Sequence, residues 1–267
     1  MLKRVATAFL LIPAVVVLVL YAPSVLILAV VIVLTFLALL EYNRLTALIF
    51  KGHGSGILTS IAGLVITLCV YITGAAPSPL LFIAGLFIFL FTALGTTSEH
   101  RSAAEEAAFK TMGLVYISLP LSYFLLLAGA PGGRSWILFF LVLIWCNDSL
   151  AYVSGRAFGR HKLCPSISPG KTIEGALGGI ACGIAAAFVF NALAPTPLTG
   201  SGGLVILAIV TGLLGIAGDL FESVIKRGAG VKDSGTIVPG HGGVLDRIDS
   251  MLFSLPAFYI LAISLKI

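Results

Sequence analysis

The sequence predicts an all-α, polytopic membrane protein, and three observations predict it. Hydrophobic residues make up 59% of the chain, and the mean hydropathy is +1.12. Only 10% of the residues are charged, where ordinary soluble domains carry roughly 25%. Apolar runs near the length that crosses a hydrocarbon core of about 30 Å, roughly 17 to 25 residues, recur along the whole chain. These runs are continuously apolar. Strands of a membrane β-barrel alternate apolar and polar positions over about ten residues, so helices are the predicted spans.

Nine spans are predicted: Val5 to Tyr21, Val25 to Leu40, Gly56 to Thr73, Leu80 to Gly95, Thr111 to Ala130, Trp136 to Ser154, Thr172 to Ala194, Gly203 to Phe221 and Ser250 to Leu265. Lys3 and Arg4 precede the first apolar core, as they would in a signal peptide. The second span follows at once, with Pro23 in a tight connection, which favours an uncleaved hairpin. Residues 1–130 are expected to act as a scaffold of five spans. Residues 131–267 are expected to hold four spans and the catalytic loops.

Basic residues orient these spans. Lys3, Arg4, Arg44, Lys51, Arg101, Lys110, Arg156, Arg160, Lys162, Lys171, Lys226, Arg227, Lys232 and Arg247 fall on one side, 14 of the 16 Lys and Arg. Arg134 and Lys266 fall on the other, whose connections "GAAPSP" and "PTPLTGSG" are short and uncharged. The positive-inside rule then puts the N-terminus in the cytoplasm and the C-terminus outside, which requires an odd number of spans. A multi-pass protein of the cell membrane with its polar face in the cytoplasm is the expectation.

All eleven acids also fall on or near the cytoplasmic side, which the rule for bases does not require. Solvated loops carry mixed charge, and that accounts for "TSEHRSAAEEAAFK", expected to be an amphipathic cytoplasmic helix. Acids inside apolar runs are different. In "WILFFLVLIWCNDSLAYVSG" Asp148 lies about 18 Å along the sixth span at 1.5 Å per residue. A carboxylate at mid-bilayer costs about 2.5 to 3.5 kcal/mol on insertion scales, so it faces a partner or a wet cavity. Asp148, Tyr152 and Gly155 share a face there, and an interhelical hydrogen-bonding cluster is the bland alternative. In "GIAGDLFESVIKRG", Asp219, Glu222, Ser223 and Lys226 line one helical face at i, i+3, i+4 and i+7.

Between Lys226 and Asp249 the chain turns polar and glycine-rich. Seven of its 27 charged residues stand in these 24 positions, with Gly228, Gly230, Gly235, Gly240, Gly242 and Gly243. Glycine permits positive φ and close approach of backbone N–H groups to anionic oxygens. A third cluster, "GRAFGRHKLCPSISPGKTIEG", brings Arg156, Arg160, Lys162 and Lys171 to the start of the seventh span, where a helix N-terminus favours anions. Its "SPGKT" lacks the G-x-x-x-x-G-K-[ST] spacing and the preceding strand of a P-loop, so that match is rejected. Carboxylates, cations and glycine backbone on one side fit nucleotide or polyphosphate chemistry with a hard divalent ion such as Mg²⁺ on a membrane-embedded acceptor.

Ser223 to Asp249, "SVIKRGAGVKDSGTIVPGHGGVLDRID", resembles the signature of the phosphatidate cytidylyltransferases, the CDP-diacylglycerol synthases: S-x-x-K-R, K-D-S-G, then P-G-H-G-G-x-x-D-R-x-D. "WCNDSLAYVSGRAFGRHKLCPSISPGKTIEG" is similar to the family's upstream block. The likeness is strong over Trp145 to Ser250 and diffuse before it, where "EYNRL" after the second span also looks familiar. Such a resemblance implies that CTP and phosphatidic acid give CDP-diacylglycerol and pyrophosphate with Mg²⁺, at a lipid bilayer and without nucleic acid. A lipid phosphate is already an anionic nucleophile, so the reaction needs positioning and charge neutralisation more than a general base.

By that logic Asp219 and Asp246 are the leading metal ligands, with Asp249 and Asp148 next, and a second cation is left open. Lys226, Arg227, Lys232 and Arg247 are assigned to the triphosphate or the lipid phosphate, Lys226 and Arg247 as catalytic. Ser223 stands in the same signature as a substrate-binding position. The turn Gly240 to Gly243 would admit phosphate oxygens, and His241 either bonds a phosphate or fixes the turn. Asp233 would hold Lys232 and Arg227 in place, and Ser168 and Lys171 would contact phosphate or cytidine. Two rivals stay open: a CTP-dependent polyprenol or phytol kinase, which would release CDP, and a transporter with acids near span centres.

The remaining features read as structural. Cys69, Cys146, Cys164 and Cys182 have no paired spacing and are expected to be reduced. His53, His100 and His161 read as solitary loop histidines. Glu41 is expected to pair with Arg44 or a loop cation. Gly175, Gly179 and Gly183 give the seventh span a smooth face for packing within a monomer or between protomers, so a homodimer is one candidate assembly.

Overall fold

A computed structural model describes residues 2–50, 56–76, 85–87, 90, 100–194, 198–237 and 242–265. Its helices are α1 (Leu2–Tyr21), α2 (Ser24–Phe50), α3 (Ile57–Thr73), α4 (His100–Gly113), α5 (Leu119–Gly129), α6 (Gly133–Phe158), α7 (Ile173–Leu193), α8 (Ser201–Gly228) and α9 (Leu245–Leu265). Among the described residues six stretches are long and apolar enough to cross a membrane: Ser24–Phe50, Ala107–Gly129, Gly133–Phe158, Ile173–Leu193, Ser201–Gly228 and Leu245–Leu265. Two shorter apolar helices, Ile12–Tyr21 and Ile57–Thr73, stand where the first and third spans were expected. The fourth expected span, Leu80 to Gly95, lies outside the described residues except at 85–87 and 90. An all-α membrane protein is therefore what the chain forms, with six such stretches described.

Most deviations have local causes. The fifth span is not one regular helix: a π-helical turn, Leu114–Ser118, joins α4 to α5, with the Leu119 N–H reaching the Leu114 carbonyl. Pro120 follows directly. Its missing N–H and bulky ring would disturb the carbonyl four residues back, and a widened turn relieves this. Pro13 and Pro256 sit inside α1 and α9, where neighbouring groups tolerate the lost bond. The basic segment between α6 and α7 forms a hairpin, which the sequence did not predict. Strand β1 (Lys162–Cys164) pairs antiparallel with β2 (Ser168–Thr172), Lys162 opposite Thr172 and Cys164 opposite Ser168.

The chain forms two compact units. The first comprises residues 1–14, 22–126 and 225–248. At its core the buried Tyr42 packs against Tyr116, donates its hydroxyl to the Phe109 carbonyl at 3.0 Å, and is admitted by Gly113, where a Cβ would stand 2.7 Å from its ring. The second comprises residues 15–21, 127–224 and 249–267. Its core is aromatic: Trp136, Phe139 and Phe140 of α6 surround Phe258 of α9 with ring centroids 5.0–6.1 Å apart.

Within the second unit α6 and α7 pack at backbone contact. A Cβ on Gly175 would lie 2.7 Å from the Ala151 carbonyl oxygen, and one on Gly179 would lie 2.7 Å from that of Asn147. The glycine face predicted for the seventh span is therefore used inside the chain at these two positions. Gly183 is buried, but a Cβ there would meet nothing within 4 Å.

Candidate functional site

In the first unit the last turn of α8, the segment after it and the start of α9 converge on two carboxylates. Lys226 Nζ lies 2.6 Å from Asp246 Oδ1, and both side chains are buried to nine-tenths or more. The other oxygen, Asp246 Oδ2, accepts from Ser234 N at 2.9 Å, Ser234 Oγ at 3.0 Å and Gly243 N at 2.8 Å. A buried charge is tolerated only when paired and hydrogen-bonded, and Asp246 is both.

The second carboxylate is Glu41, from the cytoplasmic-side end expected of α2. Its Oε1 accepts from Val244 N at 2.9 Å, and its Oε2 accepts from Leu245 N at 2.9 Å and Ser234 Oγ at 2.8 Å. The expected pairing with Arg44 or a loop cation gives way to these N–H and O–H donors. Val244 directly precedes α9 and Leu245 opens it; the first N–H groups of a helix have no partner within it, so an anion is favoured there.

Three glycines of this segment, Gly235, Gly242 and Gly243, are explained by the two carboxylates. Gly242 has φ +84°, and a Cβ there would come within 2.5 Å of Asp246 Oδ2. One on Gly235 would stand 2.5 Å from Glu41 Oε1, and one on Gly243 would collide with Ser234 Oγ and Glu41 Oε2. Arg227, Lys232, Asp233 and Arg247 are exposed around this knot. Arg227 donates to the Val231 carbonyl at 3.0 Å. Gly240 and His241 lie outside the described residues, so the expected phosphate-admitting turn is described only at Gly242 and Gly243.

In the second unit a separate polar group forms on α6, β2, α8 and α9. Lys171 Nζ of β2 lies 2.7 Å from Asp219 Oδ2 of α8, and Ser223 Oγ donates to Asp219 Oδ1 at 3.4 Å. Asp148 of α6 lies in the fields of Asp219 and Lys171. Asp249 Oδ1 accepts from Ser250 N at 2.7 Å. Its backbone comes so close to α8 that a Cβ on Gly218 would collide with the Asp249 carbonyl.

A hairpin presents Lys171. The Glu174 carboxylate accepts from Arg160 N at 3.1 Å and His161 N at 3.2 Å, and pairs with His161 Nδ1 at 2.6 Å. Thr172 caps α7, its hydroxyl accepting from Gly175 N at 3.1 Å. His161 is thus not solitary, and His100 is the first residue of α4 rather than a loop residue. His53 lies outside the described residues, as does Lys51. Ser168 opens β2, paired across the hairpin with Cys164.

Mg²⁺ commonly binds through one or two carboxylates together with water and substrate phosphate. Asp148 and Asp219 are the carboxylates that fit that demand: Asp219 already takes a cation, Lys171 at 2.7 Å, and Asp148 lies in the field of both. Asp246 would reach a metal only by giving up Lys226. Among the described residues no three or more His, Cys, Asp or Glu side chains are grouped to hold a metal on their own.

Sequence reasoning named most of these groups and missed three. Glu41 reads as structural from the sequence, although an ionisable residue ending an apolar span is a reason for attention. Ser234 stands in K-D-S-G without an assigned role. The Glu174–His161 pair was hidden by 13 residues of separation and an unpredicted hairpin.

The model of the cytidylyltransferase family matches residues 2–265. The chain belongs to the cytidylyltransferase family. Among its relatives is the phosphatidate cytidylyltransferase of Staphylococcus epidermidis, 42% identical over 181 residues, 67% of this chain and 68% of the relative. That of Bacillus subtilis is 37% identical over 189 residues, 70% of this chain and 69% of the relative. The Haemophilus influenzae protein of the same name is 47% identical over 125 residues, 46% of this chain and 43% of the relative. Membership of the cytidylyltransferase family makes the chain a nucleotidyltransferase.

Proposed function

We propose that this protein transfers the cytidylyl group of CTP to phosphatidate, giving CDP-diacylglycerol and pyrophosphate for phospholipid synthesis. The family match over residues 2–265, joined to three relatives that bear the name phosphatidate cytidylyltransferase, carries this reading. The lipid phosphate attacks the α-phosphate in line, and pyrophosphate leaves. Lys226, Arg227, Lys232 and Arg247 neutralise phosphate oxygens, with Asp233 beside them and Gly242 and Gly243 in the turn proposed to admit the phosphate. Lys171, Ser168 and Ser223 contact nucleotide or phosphate. Gly240 and His241 retain their proposed place in the phosphate-admitting turn.

Asp219 and Asp148 would hold Mg²⁺, which when bound would supply positive charge for the departing pyrophosphate. Asp246 and Asp249 are the further ligands proposed from the signature, and a second cation is part of the same proposal. Residues 1–130 serve as scaffold and residues 131–267 carry the reactive loops. The proposed topology has nine spans in the cell membrane, the N-terminus and the reactive face cytoplasmic, and the C-terminus outside. A homodimer would need a surface other than Gly175 and Gly179, which contact α6 of the same chain.

The test is turnover by the protein purified in detergent with labelled CTP, phosphatidate and Mg²⁺. CDP-lipid and pyrophosphate are expected, and Asp219→Asn should lower kcat by about 10²-fold or more, the scale of a lost electrostatic group at a reacting phosphate. Release of CDP with a phosphorylated lipid alcohol would replace the reading with a lipid kinase. Full activity in Asp219→Asn would remove this residue from the site.

A further inference from the structure

We infer that Glu41 is a positioning residue of the reaction: it clamps the glycine-rich segment by capping α9 and bracing Ser234 from the side opposite Asp246. The geometry is specific. Each oxygen of Glu41 has its own backbone donor at 2.9 Å, Val244 N for Oε1 and Leu245 N for Oε2, and Oε2 also takes the Ser234 hydroxyl at 2.8 Å. Glu41 is 5% exposed and Ser234 is 2% exposed, so water does not substitute for these partners.

Ser234 carries a single hydroxyl proton, yet its Oγ lies 2.8 Å from Glu41 and 3.0 Å from Asp246. It is the link between the two carboxylates. Asp246 in turn fixes Lys226, one of the phosphate-binding cations proposed above, at 2.6 Å. A chain of contacts thus runs from α2 through Ser234 and Asp246 to the Lys226 ammonium. Gly235 and Gly243 are the positions where a Cβ would meet the Glu41 carboxylate, so the segment's composition is itself fitted to this residue. Glu41 acts through the segment it holds.

Glutamine is the informative substitution because it keeps the volume and removes one acceptor. With an amide NH₂ in place of one oxygen, a donor faces either Leu245 N and Ser234 Oγ or Val244 N, so at least one α9 N–H loses its partner. The experiment compares wild type with Glu41→Gln in nanodiscs by three readouts: thermal unfolding, trypsin cleavage after the exposed Arg227, Lys232 and Arg247, and kcat/KM for CTP with phosphatidate. We expect loop cleavage to accelerate about tenfold or more and kcat/KM to fall by a similar factor, both read well below the unfolding transition, while the unpaired buried N–H lowers Tm by only about 2–6 °C.

Cleavage and turnover both within about twofold of wild type would overturn the inference, as would cleavage that rises only in step with a falling Tm. If Glu41→Gln does not fold, Ser234→Ala removes the bridging hydroxyl and no charge. The same signs are then expected at smaller size, and unchanged cleavage and turnover would again overturn it. The kinetic arm rests on the proposed reaction, whereas the cleavage arm does not. Wild type that makes no CDP-lipid would therefore sink the reaction and still leave cleavage to decide the role of Glu41.

Discussion

Lys226–Asp246 and Lys171–Asp219 are pairs of nearly equal length, 2.6 and 2.7 Å, and their surroundings make them different objects. The first has side chains 10% and 5% exposed, the second 22% and 35%. Removing one partner of a buried pair leaves a desolvated charge uncompensated, at about 3–5 kcal/mol, whereas a solvated pair is worth about 0–1 kcal/mol. Lys226→Ala should therefore lower both thermal stability and turnover. Lys171→Ala should lower turnover with little change in unfolding, and scanning calorimetry in detergent distinguishes them. Equal destabilisation by the two variants would contradict this account of their burial. The same contrast explains what was legible in the residues. Asp148, Asp219, Lys226 and Asp246 stood out because charge beside apolar sequence needs a reason. Glu41 did not declare its partners, since Ser234 and Leu245 lie 193 and 204 positions away and no local spacing encodes such a contact.

At the scale of elements, hydrophobic length located the helices well, because continuous apolar runs have few other ways to satisfy their backbone in lipid. The ends were less legible. Helix α2 continues ten residues past the expected Leu40, carrying Glu41 and Tyr42 with it, because polar groups of this turn find partners within the unit. The β1–β2 hairpin was hidden for another reason: "SPGKT" contains Pro and Gly, which argue against a strand. Tertiary bonds override that preference, among them Ile173 N to the His161 carbonyl at 2.9 Å and the Glu174 carboxylate across the hairpin's base. Glycine spacing predicted the α6–α7 packing, but only contact geometry ranks its members. Gly179→Val should cost about 1–3 kcal/mol by overpacking against Asn147 and Ala151. Gly183→Ala should be neutral or stabilising by about 1 kcal/mol through helix propensity, since its added methyl meets nothing within 4 Å. Thermal unfolding of both variants checks the order, and a larger loss at Gly183 would refute it.

For the whole molecule, the decisive quantity is the sidedness of its charge. Fourteen of 16 basic residues stand on the side assigned to the cytoplasm, and the K/R bias of short loops sets orientation in a bilayer. CTP is a soluble polyanion made and used in water, while phosphatidate stays in the membrane. A reaction joining them therefore needs cations at the boundary on the side where the nucleotide is found. The proposed orientation is testable without activity, using single cysteines in a background with Cys69, Cys146, Cys164 and Cys182 replaced. Ser166 lies exposed in the hairpin between β1 and β2, and Ala75 lies exposed just after α3. In right-side-out vesicles a membrane-impermeant maleimide should label Ala75→Cys and spare Ser166→Cys until the membrane is opened. Inverted vesicles should reverse the pattern. Labelling of both positions from the same side would break the proposed crossing of three spans between them. Labelling of Ser166→Cys from outside would put the Lys171-bearing hairpin away from the nucleotide, a result incompatible with cytoplasmic CTP as substrate.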